Sequence, residues 1–367
     1  MNQPNPSLLP IGQGPRVIVY HQTHHKPNGG PPVSLLPLVT ENTGITHVIV
    51  AAIHLNDPPG NITLNDDDPE TQRDKYATLF GEMAWLQQAF GVRVMAMLGG
   101  AAKGSYQRLD GDDVVRFEAY YTPLRDLLRK HRFDGLDLDV EEETSLPGII
   151  RLIDRLRADF GPNFIITLAP VANALLPNQP HLSGFNYQLL EQMRGHEIAW
   201  YNAQFYCGWG DALSTAWYDA IVGLGWPANK VVIGLITNSA NGAGHVAWPQ
   251  LEQVLRTLRQ RYPTFGGVMG WEYFNALPGG MDRPWEWVAN MGRVLRTPLP
   301  PAPFQPQIPI RPYGQPATQP LPPAPHAFPA ESVKTLQDLG FSHQQAIAAL
   351  NMTSGNVEYA AGLLFQD

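Results

Sequence analysis

The run Phe133–Glu143, FDGLDLDVEEE, is the segment whose residue types and spacing most plainly suit chemistry. Read as a strand, it sends alternate side chains to the same face. Asp137, Asp139 and Glu141 then project one way, and Leu136, Leu138 and Val140 project the other way, suited to packing under helices. Asp134 has the opposite parity, which fits a structural role at the strand entrance. Glu142 falls on the outer face and Glu143 past the strand end. Carboxylates one strand repeat apart in a low-dielectric interior cannot all ionise, so they must share protons or gain donors. A row with one acid held protonated near pH 7 is a device for protonating a glycosidic oxygen. Glu141, the outermost, is expected to be that donor. Asp139 is expected to orient a substrate group, and Asp137 to hold a proton shared with Asp139. A solvated acidic loop would not need Leu, Leu and Val interleaved at strict alternation.

Something must hold this strand with its outer end open. Short apolar runs are expected as strands at Arg16–Tyr20, Thr46–Ile53, Val92–Leu98, Gly135–Glu141, Phe164–Ala169, Ala199–Tyr206, Lys230–Ile236 and Gly267–Trp271. Most are continuously apolar, as strands buried on both faces should be. Amphipathic runs between and after them predict helices over Thr71–Phe90, Val114–Lys130, Ile149–Asp159, Ala212–Gly223, Trp248–Arg261 and Trp285–Leu295. Eight strands with helical connections predict an α/β fold, a (β/α)8 TIM barrel over residues 15–297 after a tail of residues 1–14. A doubly wound open sheet is the alternative, weakened because no glycine-rich phosphate fingerprint follows the first strand. The barrel would place Glu141 nearest its C-terminal mouth, the face where such barrels carry their chemistry.

Thirteen prolines between Pro298 and Pro329 exclude a helix or central strand there and predict an extended spacer, residues 298–329. A ligand for SH3-type modules is the other reading of such a stretch. Residues 330–367 then form a small module of three short helices, near Ser332–Leu339, His343–Leu350 and Asn356–Phe365.

The chain has 367 residues and a formal net charge of −8. An acidic chain without a basic tract is a poor partner for nucleic acid or an anionic membrane surface, and no apolar stretch approaches the ~20 residues of a membrane span. Cys207 is the one cysteine, so no intrachain disulfide forms, and the N-terminus lacks the pattern of a secretory signal. Together these predict a cytoplasmic protein. His24 and His25 are adjacent, a weak metal spacing, so His21, His24 and His25 are expected at the rim and no metal site is expected. Cys207 is expected to be an inert small residue near the mouth.

Asp134-Gly135-Leu136-Asp137-Leu138-Asp139-Val140-Glu141 reads DGxDxDxE and resembles the signature of glycoside hydrolase family 18, the chitinases and endo-β-N-acetylglucosaminidases. The resemblance covers residues 15–297. It implies a (β/α)8 barrel and a substrate-assisted, retaining hydrolysis with no metal or organic cofactor. In that scheme Glu141 protonates the leaving oxygen and then activates water, the substrate's own N-acetyl oxygen attacks the anomeric carbon, and Asp139 steadies the acetamido N–H. Tyr206, on the WYNAQFY strand and sharing a face with Asn202 and Gln204, matches the tyrosine that reaches the acetamido oxygen. Trp271 matches the tryptophan flooring the sugar subsite. Met97-Leu98-Gly99-Gly100 resembles the family's SxGG motif with Met97 in place of serine, which puts the network around Asp134 and Asp137 in question. Tyr20, Gln204, Gly99 and Gly100 join Trp271 as expected substrate-binding residues; Tyr20, ending the first strand, either faces the aspartates or is simply core.

The C-terminal module resembles a ubiquitin-associated (UBA) domain, with Leu339-Gly340-Phe341 standing for the Met-Gly-Phe loop. That resemblance implies ubiquitin contacts by Leu339, Gly340, Phe341, Leu363 and Leu364. Three functions follow: a chitinase-type hydrolase of β-1,4-linked N-acetylglucosamine polymers, an endo-β-N-acetylglucosaminidase trimming N-glycans, or an inactive glycan-binding lectin or ubiquitin adaptor on the same barrel. Retention of Glu141 favours an enzyme.

Overall fold

In a computed structural model, residues 8–10, 12–298, 330–339, 341, 343, 345, 346, 350, 357 and 361 are described. The chain divides into two units, Met1–Leu299 and Pro300–Asp367.

In the first unit the described strands are β1 (Arg16–His21), β2 (His47–Asn56), β3 (Asn61–Leu64), β4 (Arg93–Gly99), β5 (Gly135–Asp139), β6 (Ile165–Leu168), β7 (Trp200–Gln204), β8 (Val231–Ile236) and β9 (Gly267–Trp271). Their order is β1-β9-β8-β7-β6-β5-β4-β2-β3, and β1 also pairs with β2. Eight parallel strands therefore close into a barrel, and β3 is an antiparallel addition to β2. The fold is a (β/α)8 TIM barrel. The helices are α1 (Pro37–Thr40), α2 (Arg73–Phe90), α3 (Ser105–Leu109), α4 (Val114–Lys130), α5 (Leu146–Phe160), α6 (Tyr187–Arg194), α7 (Ala216–Gly223), α8 (Gln250–Arg261) and α9 (Trp285–Arg296). The short α1, α3, α6 and β3 had no counterpart among the expected elements: each has too few residues to show a period.

Strand alternation splits the core into two layers. Val17, Val19, Leu136, Leu138, Ile166 and Leu168 pack outward beneath the helices. Ile18, Tyr20, Met95, Met97, Trp200, Val232 and Met269 fill the barrel. At its N-terminal end the Arg16 guanidinium lies 4.3 Å over the Trp200 ring, and His47 meets the same indole edge-on at 4.8 Å. Asp134 caps the entrance to β5, accepting the Val94 N–H and the Gln87 amide, each at 2.8 Å, and the Arg93 guanidinium at 3.1 Å.

The N-terminal stretch expected as a tail is tied to the body from Leu9 onward. Arg296, 1% exposed, donates to the carbonyls of Leu9, Pro10 (2.7 Å), Gln13 (3.2 Å) and Pro15 (3.0 Å), and the Leu9 N–H returns a bond to the Arg296 carbonyl at 2.8 Å. A buried guanidinium needs several acceptors, and here backbone supplies them.

In the second unit α10 (Ala330–Asp338) turns Val333 and Leu336 onto Ala346 and Leu350, with Val357 and Ala361 packed against them. Leu339 is exposed and Phe341 half-buried. Gly340, Leu363, Leu364 and the spacer 299–329 lie outside the described residues.

Candidate active site

β5 delivers the carboxylates as the alternation requires. Asp137 is fully buried and takes three donors: the Tyr20 hydroxyl at 2.6 Å, the Thr167 hydroxyl at 2.5 Å and the Asn202 amide at 2.9 Å. Burial raises its proton affinity, and these donors oppose the rise. Asp139, one repeat outward and 5% exposed, accepts from the Gln204 amide at 3.2 Å. Burial first, then the charges of Glu141 and Asp137, push Asp139 well above the usual carboxylate range. No hydrogen bond joins Asp137 to Asp139 among the described residues. Both carboxyls are shifted toward the protonated form by burial; the three donors on Asp137 oppose that shift, whereas the carboxylates on either side of Asp139 add to it.

β5 ends at Asp139, two residues earlier than expected, where the Asp139 carbonyl accepts the Gly100 N–H at 2.9 Å. Glu141 therefore springs from the loop just past the strand. It is held by the Gln204 amide at 3.1 Å, and the same Nε2 reaches the Ala169 carbonyl at 3.0 Å. Gln204, expected on the substrate, is thus bonded to both outer carboxylates from β7 and also lines the cleft. That cleft is about 450 Å³ and opens at the C-terminal mouth; Asp139, Glu141, Tyr206, Trp209 and Trp271 are on its wall. Gly99 and Gly100 line it with φ of +94° and +86°. A Cβ on Gly99 would stand 2.5 Å from the Asp139 carbonyl oxygen and 2.5 Å from Tyr106 Cε2, so the close approach needs glycine. Tyr20 is corrected: it is 1% exposed, lies 5.4 Å from the Trp271 ring, is absent from the cleft wall and serves Asp137.

Trp271 is anchored from behind. The Trp271 carbonyl accepts the Thr237 N–H at 2.9 Å and the Asn241 amide at 3.3 Å. Glu272, 7% exposed, accepts the N–H groups of Gln22 (3.1 Å) and Thr23 (2.8 Å) and the Thr23 hydroxyl (2.8 Å). Glu142 is also buried, at 2% exposure, and bonds the N–H groups of Gly104 and Tyr106, each at 2.8 Å, at the start of α3.

Residues 16–272 match the model of glycosyl hydrolases family 18. The chain belongs to this family. A chitinase, ChiC, from Aspergillus fumigatus is 57% identical over 76% of this chain and 99% of its own, with a TM-score of 0.69. A fungal endo-beta-N-acetylglucosaminidase of family 18 is 48% identical over 78% of this chain and 99% of its own, with a TM-score of 0.73. Among curated proteins, chitinase 2 of Rhizopus oligosporus is 27% identical over 157 residues, 40% of this chain and 26% of that protein. A stretch of 52 residues, 14% of this chain, is 54% identical to DNA damage-inducible protein 1 of Chaetomium globosum, of whose length it spans only 12%.

Within the family frame, Met97 stands where serine is usual, yet Asp137 has its full set of donors from β1, β6 and β7. Thr167 and Asn202 were assigned no role from sequence. Their signal was parity: each shares the inward face of its strand. The histidines after β1 are a further correction. His21 (1% exposed) and His24 (6% exposed) are buried against each other, ring centroids 4.9 Å apart, with Tyr273 and Tyr76 beside them, instead of standing at the rim. Glu272 holds residues 22 and 23, which lie between the two imidazoles in sequence. Among the described residues no group of three or more potential ligands could hold a metal ion. Cys207 is exposed on the cleft wall at φ +54°.

Proposed function

We propose that this chain hydrolyses the β-1,4 bond between N-acetylglucosamine units by the substrate-assisted, retaining route, with Glu141 as general acid and then base. The observation that carries the proposal is the pair Asp139–Glu141, bridged by Gln204 in a cleft that Trp271 also lines. Asp139, held toward its protonated form, is a poor nucleophile, and its carbonyl oxygen accepts from the acetamido N–H. That favours attack by the substrate's own acetamido oxygen at the anomeric carbon. Glu141 gives its proton to the leaving oxygen; it then takes one from the water that opens the cyclised intermediate, and configuration is retained. Tyr206, 7% exposed on the cleft wall, is the candidate donor to the acetamido oxygen, and the Trp271 indole offers an apolar face to the pyranose.

A chitin-type polymer and the chitobiose core of an N-glycan both contain this bond. The likeness to a chitinase at 57% and to an endo-beta-N-acetylglucosaminidase at 48% identity supports both substrates. Glu141→Gln should lower kcat by about 10²-fold or more on chitopentaose and on a high-mannose glycopeptide alike. A variant as fast as wild type would overturn the assignment, and wild type inert on both would leave a binding protein. For the second unit, the Leu339-Gly340-Phe341 sequence, with Leu339 exposed beside the packed Val333–Leu336 core, supports a module that binds ubiquitin, testable by titrating the full chain and its Leu339→Ala variant with ubiquitin.

A further inference from the structure

Glu142 is a buried carboxylate that the chemistry above does not use, yet it directly follows the proton donor. β5 stops at Asp139, so no strand pairing fixes the backbone of Glu141. The half-buried Glu141 side chain accepts one hydrogen bond among the described residues, from Gln204. A general acid so loosely placed would work poorly, since a misplacement of about 1 Å can cost about 10²-fold in rate. The residues on either side of it are tied down. The Val140 carbonyl accepts the Ser183 hydroxyl at 2.7 Å, and that hydroxyl lies 2.9 Å from the Tyr187 hydroxyl at the start of α6. Glu142 accepts the Gly104 N–H on one oxygen and the Tyr106 N–H on the other. Its carbonyl accepts the Thr144 hydroxyl at 3.1 Å, and the Thr144 N–H donates to the Ser183 carbonyl at 3.1 Å. Ser183 and Thr144 are both buried.

Two loops thus grip the segment that carries the acid: the one between β4 and α3, through Glu142, and the one ahead of α6, through Ser183. Glu142 is absent from the cleft wall, whereas Ala101 and Ala102, in the loop it holds, are on it. A side chain that substrate does not meet can still decide where its neighbour's carboxyl stands. We propose that Glu142, with Ser183, is a positioning residue for the proton transfer: the two fix the backbone on both sides of Glu141 and so hold its carboxyl at the leaving oxygen. The inference rests on the glycosidase reading above.

The test uses leaving groups that need the proton to different degrees. The sugar hydroxyl released from chitopentaose, or from a high-mannose glycopeptide, must be protonated as it leaves. Dinitrophenolate, released from the 2,4-dinitrophenyl β-glycoside of N,N′-diacetylchitobiose, departs as the anion. Glu142→Gln keeps one acceptor oxygen and sets an amide against the other backbone N–H. Its kcat/KM is expected to fall about tenfold or more on whichever sugar substrate wild type cleaves faster, and to stay within about twofold on the dinitrophenyl glycoside. Both rates are read on one sample, so an unfolded fraction lowers them alike and leaves their ratio unmoved. Equal falls on the two kinds of substrate would make Glu142 a purely structural residue and overturn the proposal, as would an unchanged rate on the sugar substrate. Should Glu142→Gln yield no folded protein, Ser183→Ala reads the same ratio at the other flank, with the same outcomes. Wild type inert on all three substrates removes the glycosidase reading and this proposal with it; wild type active with a ratio that neither variant moves ends this proposal alone.

Discussion

Asp137 and Asp139 have the same chemistry and opposite surroundings. Three donors converge on Asp137, whereas among the described residues Asp139 has only the Gln204 amide, with a carboxyl group on either side. Tyr20 is therefore a positioning residue: its hydroxyl helps keep Asp137 charged, and that charge helps keep the proton on Asp139. Tyr20→Phe leaves a buried carboxylate short of a donor and should cost about 1–3 kcal/mol in urea unfolding. It should also lower kcat several-fold with little change in KM, because residue 20 is buried behind the cleft wall. A variant with wild-type stability and kcat would show that Thr167 and Asn202 suffice.

At the scale of elements, the strands hold the chemistry and the loops set the aperture. Glu272, immediately after β9, clasps residues 22 and 23 after β1, and the Asn65 amide, just past β3, then holds the Gln22 carbonyl at 2.9 Å. Three chain segments thus fix one wall of the cleft. Glu272→Ala should loosen that wall: KM is expected to rise several-fold while kcat stays within about twofold, a split that steady-state kinetics reads directly. Equal falls in kcat and kcat/KM would instead implicate Glu272 in the transition state. These elements also show what a sequence discloses. The eight barrel strands and the inward set Asp137, Asp139, Asn202 and Gln204 were legible because period-2 alternation is local. Glu272 and Glu142 were not. Each is a buried carboxylate satisfied by backbone N–H groups, 249 residues away in the case of Thr23, and no local pattern encodes such a partner. The burial of His21 and His24 escaped for the same reason.

For the barrel as a whole, the buried imidazoles set the response to acid. Burial lowers His47 from its ordinary 6.5 to about 3 and His24 to about 4. Both are depressed bases, so they carry no penalty above pH 6.5. Below it the unfolded chain binds protons that the folded chain refuses, and stability falls by about 1.4 kcal/mol per pH unit per group. The loss continues to about pH 4 for His24 and about pH 3 for His47. His47→Gln should shrink the stability difference between pH 7 and pH 5 by about 2 kcal/mol, measured by denaturant titration at each pH. An unchanged difference would place the acid sensitivity elsewhere. Arg296 carries the last consequence. Its guanidinium finds its acceptors in the carbonyls of residues 9, 10, 13 and 15. A protease nibbling from the amino end would therefore meet a threshold and not a slope: a cut beyond Gln13 strands a cation in the packing of α9 and exposes the whole barrel to digestion.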